Sequence, residues 1–217
     1  MPRNIEKDAE QEKLRRERLI DVGFKLFSEY DIENVSLQNI ADEAEVGIAT
    51  LYNYYGNKVN LVVAISASIW NKVWKKNFSS LKPEDFKKNT AYDNIAIYCD
   101  NIIEIYKTRP DILRFSADYK TFIRREQVTN DRLKEHLDVL KPVADWFHES
   151  YLRAKKDHSI RLDISEKDVF STVAFTMLGM AERYAQGIVW DESDENDKIQ
   201  KLLYLKEMLL DWCVKGK

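Results

Sequence analysis

Glycine and proline are scarce, 6 and 4 in 217 residues, so chain breaks are few and long helices are favoured. Only two cysteines occur, Cys99 and Cys213, far apart in the sequence. That excludes a disulfide framework and the close-spaced thiolate pairs of zinc or redox sites, and leaves reduced thiols in a cytoplasm as the expectation. Histidine is rarer than its uses would require. His148 shares a helix face with Asp145 and Glu149, but His136 and His158 add no supporting spacing, so no metal site is expected. No apolar run approaches the roughly 20 residues of a membrane span, and the N-terminal MPRNIEKDAEQEK has no apolar segment of the kind a signal peptide needs. A glycine-rich phosphate loop and a nucleophile–base set are both missing, which argues against an enzyme and against a bound cofactor. Positive charge is short as well. The net charge is −3, and residues 1–60 hold eight Lys and Arg against twelve Asp and Glu. Broad nonspecific nucleic-acid binding is therefore unexpected, because phosphate neutralisation supplies most of that affinity. A small basic footprint (Lys13, Arg15, Arg16, Arg18 and Lys58) still permits specific binding.

What the chain does contain is helical periodicity, and it is sharpest over Ser36–Lys58, SLQNIADEAEVGIATLYNYYGNK. Leu37, Ile40, Ala41 and Ala44 recur at helical spacing, with Ser36 placed as an N-cap before them. A joint over residues 44–47 leads to a second short helix, Ile48 to Tyr55, in which Leu51 and Tyr55 can face inward. Two short helices across a tight turn form a helix-turn-helix, whose second helix can enter a DNA major groove. Direct base contact then falls to Gln38, Ile48, Ala49 and Thr50, and the apolar Ile48 and Ala49 suit a thymine methyl.

Around this core the pattern predicts an all-α chain of about nine helices. Residues 1–12 read as a frayed arm, and helix one runs from about Lys13 to Tyr30. Asn57 caps a long fourth helix that ends near Phe78, and Ser79–Pro83 marks a domain boundary. The fifth helix is expected from about Glu84 to Lys107 and the sixth from Asp111 to Glu126. A seventh from about Asp131 to Lys156 should be kinked at Pro142. Ser165 with Asp168 opens an eighth helix reaching about Trp190, and Ser193 or Asp194 caps the last, ending near Val214.

Arg18 to Ile65 resembles the DNA-binding domain of the TetR family of transcriptional regulators. The resemblance rests on Phe24-Lys-Leu-Phe27, Val35-Ser-Leu37, Ile40-Ala41, Val46, Thr50-Leu-Tyr-Asn-Tyr-Tyr55, Asn57-Lys58 and Leu61. Three positions depart from the family pattern. Glu45 and Asp31 stand where glycine is usual, and Gly47 replaces a serine or threonine before the recognition helix. A non-glycine residue held in a left-handed conformation costs about 1–2 kcal/mol.

The resemblance implies a DNA-binding domain over residues 1–78 and a helical effector-binding and dimerisation domain over 79–217. It implies phosphate contacts from Tyr52, Tyr54 and Lys58, with Ser36 adding a hydroxyl. It further implies a homodimer through four-helix pairing of residues 165–190 and 194–214, a palindromic double-stranded DNA operator, and a small-molecule effector. Candidate pocket residues are Tyr98, Tyr106, Phe115, Tyr119, Phe122, Trp146, Phe175, Met177 and Met180, a set that favours an apolar or aromatic ligand. If Asp118 or Glu182 faces the pocket, a cationic ligand becomes the expectation. The implied function is a cytoplasmic regulator, a repressor released from its operator by such a ligand. The alternative is a helical interaction or scaffold protein with a vestigial DNA reader.

Overall fold

A computed structural model describes residues 5–78, 88–187 and 194–214. These residues form nine helices with no strand among them: α1 (Ile5–Asn34), α2 (Leu37–Glu43), α3 (Ile48–Tyr55), α4 (Lys58–Phe78), α5 (Ala91–Thr108), α6 (Pro110–Arg125), α7 (Lys134–Asp157), α8 (Glu166–Ala185) and α9 (Glu195–Val214). The all-α expectation holds. Among the described residues, no helix is long and apolar enough to cross a membrane.

Several boundaries differ from the periodic reading, each for a local reason. Helix α1 begins at Ile5 rather than near Lys13, because a polar sequence can be helical without an apolar stripe; (i, i+4) pairs such as Arg16–Glu12 support it. Helix α5 begins at Ala91, where Thr90 accepts from the Asp93 N–H and the Asp93 side chain reaches back to the Thr90 N–H. That capping box sets the start that Pro83 was expected to set; Pro83 and the preceding break lie outside the described residues. Helix α7 starts at Lys134, after hydrogen-bonded turns over 129–133, and runs through Pro142. Helix α8 stops at Ala185 with Gly187 at φ 74°; Ile188, Trp190 and Ser193 lie outside the described residues. Asp194 supplies the last cap, its carboxylate accepting the Asp197 N–H at 2.9 Å.

The chain packs as two compact units, Met1–Asn71 with Phe115–Val139, and Lys72–Arg114 with Leu140–Lys217. Helices α4, α6 and α7 each contribute residues to both. The core of the first unit holds Leu19, Phe24, Phe27, Ile32, Ile40, Leu51, Leu61, Ile65 and Phe115, all buried. Gly23 brings α1 against α4: a Cβ there would lie 2.6 Å from Ile65 Cδ1. Phe24 and Phe115 meet edge to face with centroids 5.5 Å apart.

In the second unit α5 packs on α8 and α9. Ile95, Cys99 and Ile102 bury against a core that includes Val173, Met177, Leu202, Leu210 and Cys213. Tyr98, Trp146 and Phe147 form an aromatic cluster at 5.0–6.4 Å, which Phe170 extends at 4.5 Å from Phe147. Asn94 Nδ2 donates to Ser150 Oγ at 3.1 Å inside this core, the pairing that buried amides require.

Candidate nucleic-acid interface

The reading head is built from α2, its turn and α3. Ser36 caps α2: its Oγ accepts the Asn39 N–H at 3.1 Å, and Asn39 Oδ1 accepts the Ser36 N–H at 2.9 Å. The Ser36 hydroxyl proton also goes to Asn39 Oδ1, at 2.6 Å. The turn is a Schellman closure, with Val46 N–H bonding Ala41 O and Glu45 N–H bonding Asp42 O. Its left-handed residue is Glu45, at φ 51°, the position where the sequence departs from glycine. Arg18 pairs with the Glu45 carboxylate at 2.6 Å and so holds the turn to α1.

Helix α3 then presents two faces. Leu51 is fully buried, and Tyr55 is half-buried with its hydroxyl donating to Arg16 O at 3.5 Å. Burial also raises the Tyr55 pKa. On the other face Ala49 is exposed, Ile48 and Thr50 are half-buried, and Tyr52 is 51% exposed. Tyr52 is not a core residue. Tyr54 is half-buried under the Arg16 guanidinium, which lies 4.2 Å from its ring centroid. Gln38 is exposed on α2, with its amide donating to Asp42 at 2.7 Å.

Lys58 has a structural attachment that sequence spacing cannot reveal. Its Nζ donates to the Glu33 carbonyl at 3.3 Å and lies 5.9 Å from the Phe27 ring centroid. Burial pushes its pKa down against the pull of Glu126 and Asp118. The expected basic footprint on α1 is largely engaged by neighbouring acids: Arg16 with Glu12 at 2.9 Å, Lys13 with Glu17 at 3.9 Å, and Arg18 with Glu45.

The joint between α3 and α4 carries the expected cap and two residues, Asn60 and Arg132, that spacing did not single out. Gly56 turns at φ 74°, and Asn57 caps α4 as expected, through the Asn60 N–H at 3.0 Å. Asn60 Nδ2 donates back to Tyr55 O at 2.8 Å. Arg132 then donates to Asn57 Oδ1 at 3.2 Å and to Asn60 Oδ1 at 3.0 Å.

The expected pocket residues divide between the units. Phe115, Tyr119 and Phe122 are buried in the first. Tyr98, Tyr106, Trp146 and Met177 are buried in the second, and Met180 is half-buried there. Tyr106 donates its hydroxyl to Glu195 at 2.7 Å. Phe175 belongs to neither core: it is 68% exposed on α8, because the helical period turns it away from the buried Val173 and Met177. Asp118 is half-buried and accepts the Ile32 N–H at 2.5 Å. Glu182 is buried. His148 Nδ1 sits 3.0 Å from the Glu166 carboxylate, and no cluster of three potential metal ligands occurs among the described residues.

Comparison with known proteins agrees with this geometry. Residues 19–65 match the bacterial regulatory proteins of the tetR family. An HTH-type transcriptional regulator of Staphylococcus aureus strain MRSA252 is 23% identical over 153 residues, 70% of this chain and 74% of that protein. Another, from strain USA300, is 25% identical over 130 residues. That match covers 60% of this chain and 61% of the relative, less than two thirds of its length. Among solved structures, the fatty acid degradation regulator FadR from Bacillus halodurans superposes with a TM-score of 0.66 at 14% identity, covering 90% of this chain and 94% of that one. FadR from Bacillus subtilis, in complex with stearoyl-CoA, has a TM-score of 0.66 at 15% identity, covering 92% and 98%. At these identities the structural likenesses show the fold. The sequence match at the reading head, the helix-turn-helix geometry and the shared fold lead to one conclusion: residues 19–65 are a helix-turn-helix domain of the tetR-family type, carried by a chain with the fold of these regulators.

Proposed function

We propose that this regulator is a dimeric repressor which binds a palindromic operator and is released by a small, largely apolar ligand. The observation that carries the DNA-reading part is the division of α3, with Leu51 and Tyr55 anchoring it while Ala49 and Tyr52 face outward. In this reading Gln38, Ile48, Ala49 and Thr50 meet base edges, and Ser36, Tyr52, Tyr54 and Lys58 meet phosphates. Residues 1–78 form the DNA-binding domain with its connecting helix, and residues 79–217 the effector and dimerisation domain.

Dimerisation is supported by apolar groups left on the outside of α8 and α9. Phe175, Tyr204 and Met208 are 68%, 55% and 68% exposed. Gly179, one turn beyond Phe175, is open with nothing near its missing Cβ. Val169, Val173, Met177, Leu202 and Leu210, which lie in the segments expected to pair, are buried within the single chain. The proposed pairing face is therefore narrower than the apolar surface of those segments. Two recognition helices related by a two-fold axis, about 34–36 Å apart or a multiple, would read a palindrome.

The aromatic cores of both units supply apolar ligand surface, and a regulator of the same fold holds stearoyl-CoA. This favours a ligand with a substantial apolar part. The Asp118 carboxylate is committed to the Ile32 N–H, which removes one of the two acids a cationic ligand would use.

Selection of bound sequences from random duplex DNA tests the reading. The protein should enrich a palindrome, and Tyr52→Phe should weaken binding to it without lowering thermal stability. Failure of the folded protein to enrich any sequence would favour a helical interaction protein instead.

A further inference from the structure

We infer that Arg132 is a positioning residue for the recognition helix: it locks the α3–α4 joint from a segment 75 residues away in sequence. Its guanidinium donates to both Asn57 Oδ1, at 3.2 Å, and Asn60 Oδ1, at 3.0 Å. Those two side chains define the joint. Asn57 Oδ1 caps α4 by accepting the Asn60 N–H at 3.0 Å. Asn60 Nδ2 donates at 2.8 Å to Tyr55 O, a terminal carbonyl of α3 that has lost its helical partner. A continuous hydrogen-bonded path thus runs from Arg132 through Asn60 to the end of the recognition helix.

The joint needs such a lock. Between the two helices the chain turns through Gly56 at φ 74°, a residue with more backbone freedom than any other. Without the Arg132 contacts, the side-chain hydrogen bond that remains from α4 to α3 at this joint, among the described residues, is that of Asn60 to Tyr55 O. The segment that presents Arg132 is itself well defined. Helix α6 closes in a Schellman motif, with Val128 N–H on Ile123 O and Gln127 N–H on Arg124 O. Gln127 takes the left-handed position at φ 49°. The following turn bonds Arg132 N–H to Thr129 O and Leu133 N–H to the same carbonyl. All of these residues belong to the first unit.

Arg132 also lines a cleft of about 470 Å³ with Arg16, Tyr54, Tyr55, Asn60 and Glu135. Among the described residues it forms no ion pair, and its charge rests on two neutral amide oxygens. Its effect on DNA is indirect, exerted through the orientation of α3.

The test compares wild type, Arg132→Ala, Asn60→Ala and the double variant. In DNA-free protein, amide hydrogen exchange at Gly56, Asn60 and Leu61 should rise at least about fivefold in Arg132→Ala, with residues 19–27 unchanged. On the duplex that wild type enriches from random DNA, Arg132→Ala should lose roughly three- to thirty-fold in affinity. The slope of affinity against salt should stay as in wild type, and the double variant should bind no more weakly than the weaker single one. A slope reduced by about one would make Arg132 a phosphate contact and overturn the proposal. Unchanged exchange at the joint, acceleration that spreads equally to residues 19–27, unchanged operator affinity, or strictly additive losses would each overturn it too. The exchange arm uses no DNA. A wild-type protein that enriches no duplex therefore defeats the operator reading, while exchange at the joint still decides the role of Arg132.

Discussion

At Asp31 the backbone sits at φ 64° and ψ 152°, a region that L-residues other than glycine rarely occupy. The sequence departs from glycine here, and aspartate tolerates the left-handed well better than most residues. The ψ value lies outside the left-handed well, so that tolerance does not apply, and such strain costs about 1–3 kcal/mol. The Asp118 carboxylate opposes the strain by accepting the next N–H, from Ile32. It does so while its own pKa is raised, first by burial and further by the charge on Asp31. Asp31→Gly should therefore stabilise the protein by about 1 kcal/mol, read from the denaturation midpoint. Unchanged or lower stability would mean the strain is relieved elsewhere. His136 offers a pH test. Its ring nitrogen lies 3.0 Å from Ser66 Oγ, and burial, reinforced by Lys120, holds its pKa down at about 4. The unfolded imidazole, near 6.5, takes up its proton first. Stability is therefore full above about pH 6.5 and falls as the pH drops toward about 4. A loss on the order of 2 kcal/mol is expected across that window, and it should be much reduced in His136→Gln.

At the scale of elements, caps and closures decided boundaries more than apolar periodicity did. The stripe Leu37, Ile40, Ala41 and Ala44 located α2 correctly, with all but the half-buried Leu37 fully inside. Its ends, however, are made by Ser36 and the Glu45 turn. Ser36→Ala should cost about 1 kcal/mol of stability by removing the cap, as thermal melts would show. If Ser36 also meets phosphate, operator affinity should fall beyond what the melt explains. The proposed phosphate contact would give Lys58 a parallel double role. Its bond to Glu33 O satisfies a carbonyl at the end of α1, so Lys58→Ala should lower stability by about 0.5–1.5 kcal/mol and also flatten the salt dependence of DNA binding. Loss of salt dependence alone would show that the Glu33 contact contributes nothing to the fold.

At the scale of the whole molecule, the outer surface of α8 and α9 is the feature that calls for a partner. Phe175, Tyr204 and Met208 leave large apolar groups in water, and exposed apolar surface on paired helices is the kind that interaction faces use. Phe175→Glu or Met208→Glu should convert the proposed dimer to monomer in sedimentation experiments and sharply reduce operator affinity, because one recognition helix reads too little DNA. A variant that stays dimeric would move the interface to another face.

The reading head was legible from sequence because helix-turn-helix geometry is local. Ser36 caps within one turn, and helical period alone turns Ile40, Leu51 and Tyr55 inward and their neighbours outward. The same locality made the all-α class visible. What sequence could not supply were relations between distant residues. These include the Lys58 bond to Glu33, the Asp118 carboxylate at Ile32 and the Arg132 guanidinium on Asn57 and Asn60. The exposure of Phe175 was a choice between faces of one helix: two buried surfaces and one open surface present the same apolar residue types, and only packing tells them apart. The sequence by itself determined the fold class and the location of the reader, through periodicity and caps. Tertiary structure alone decided which charged side chains stabilise the reader and which apolar side chains remain for a partner, because those roles depend on groups that only folding brings together.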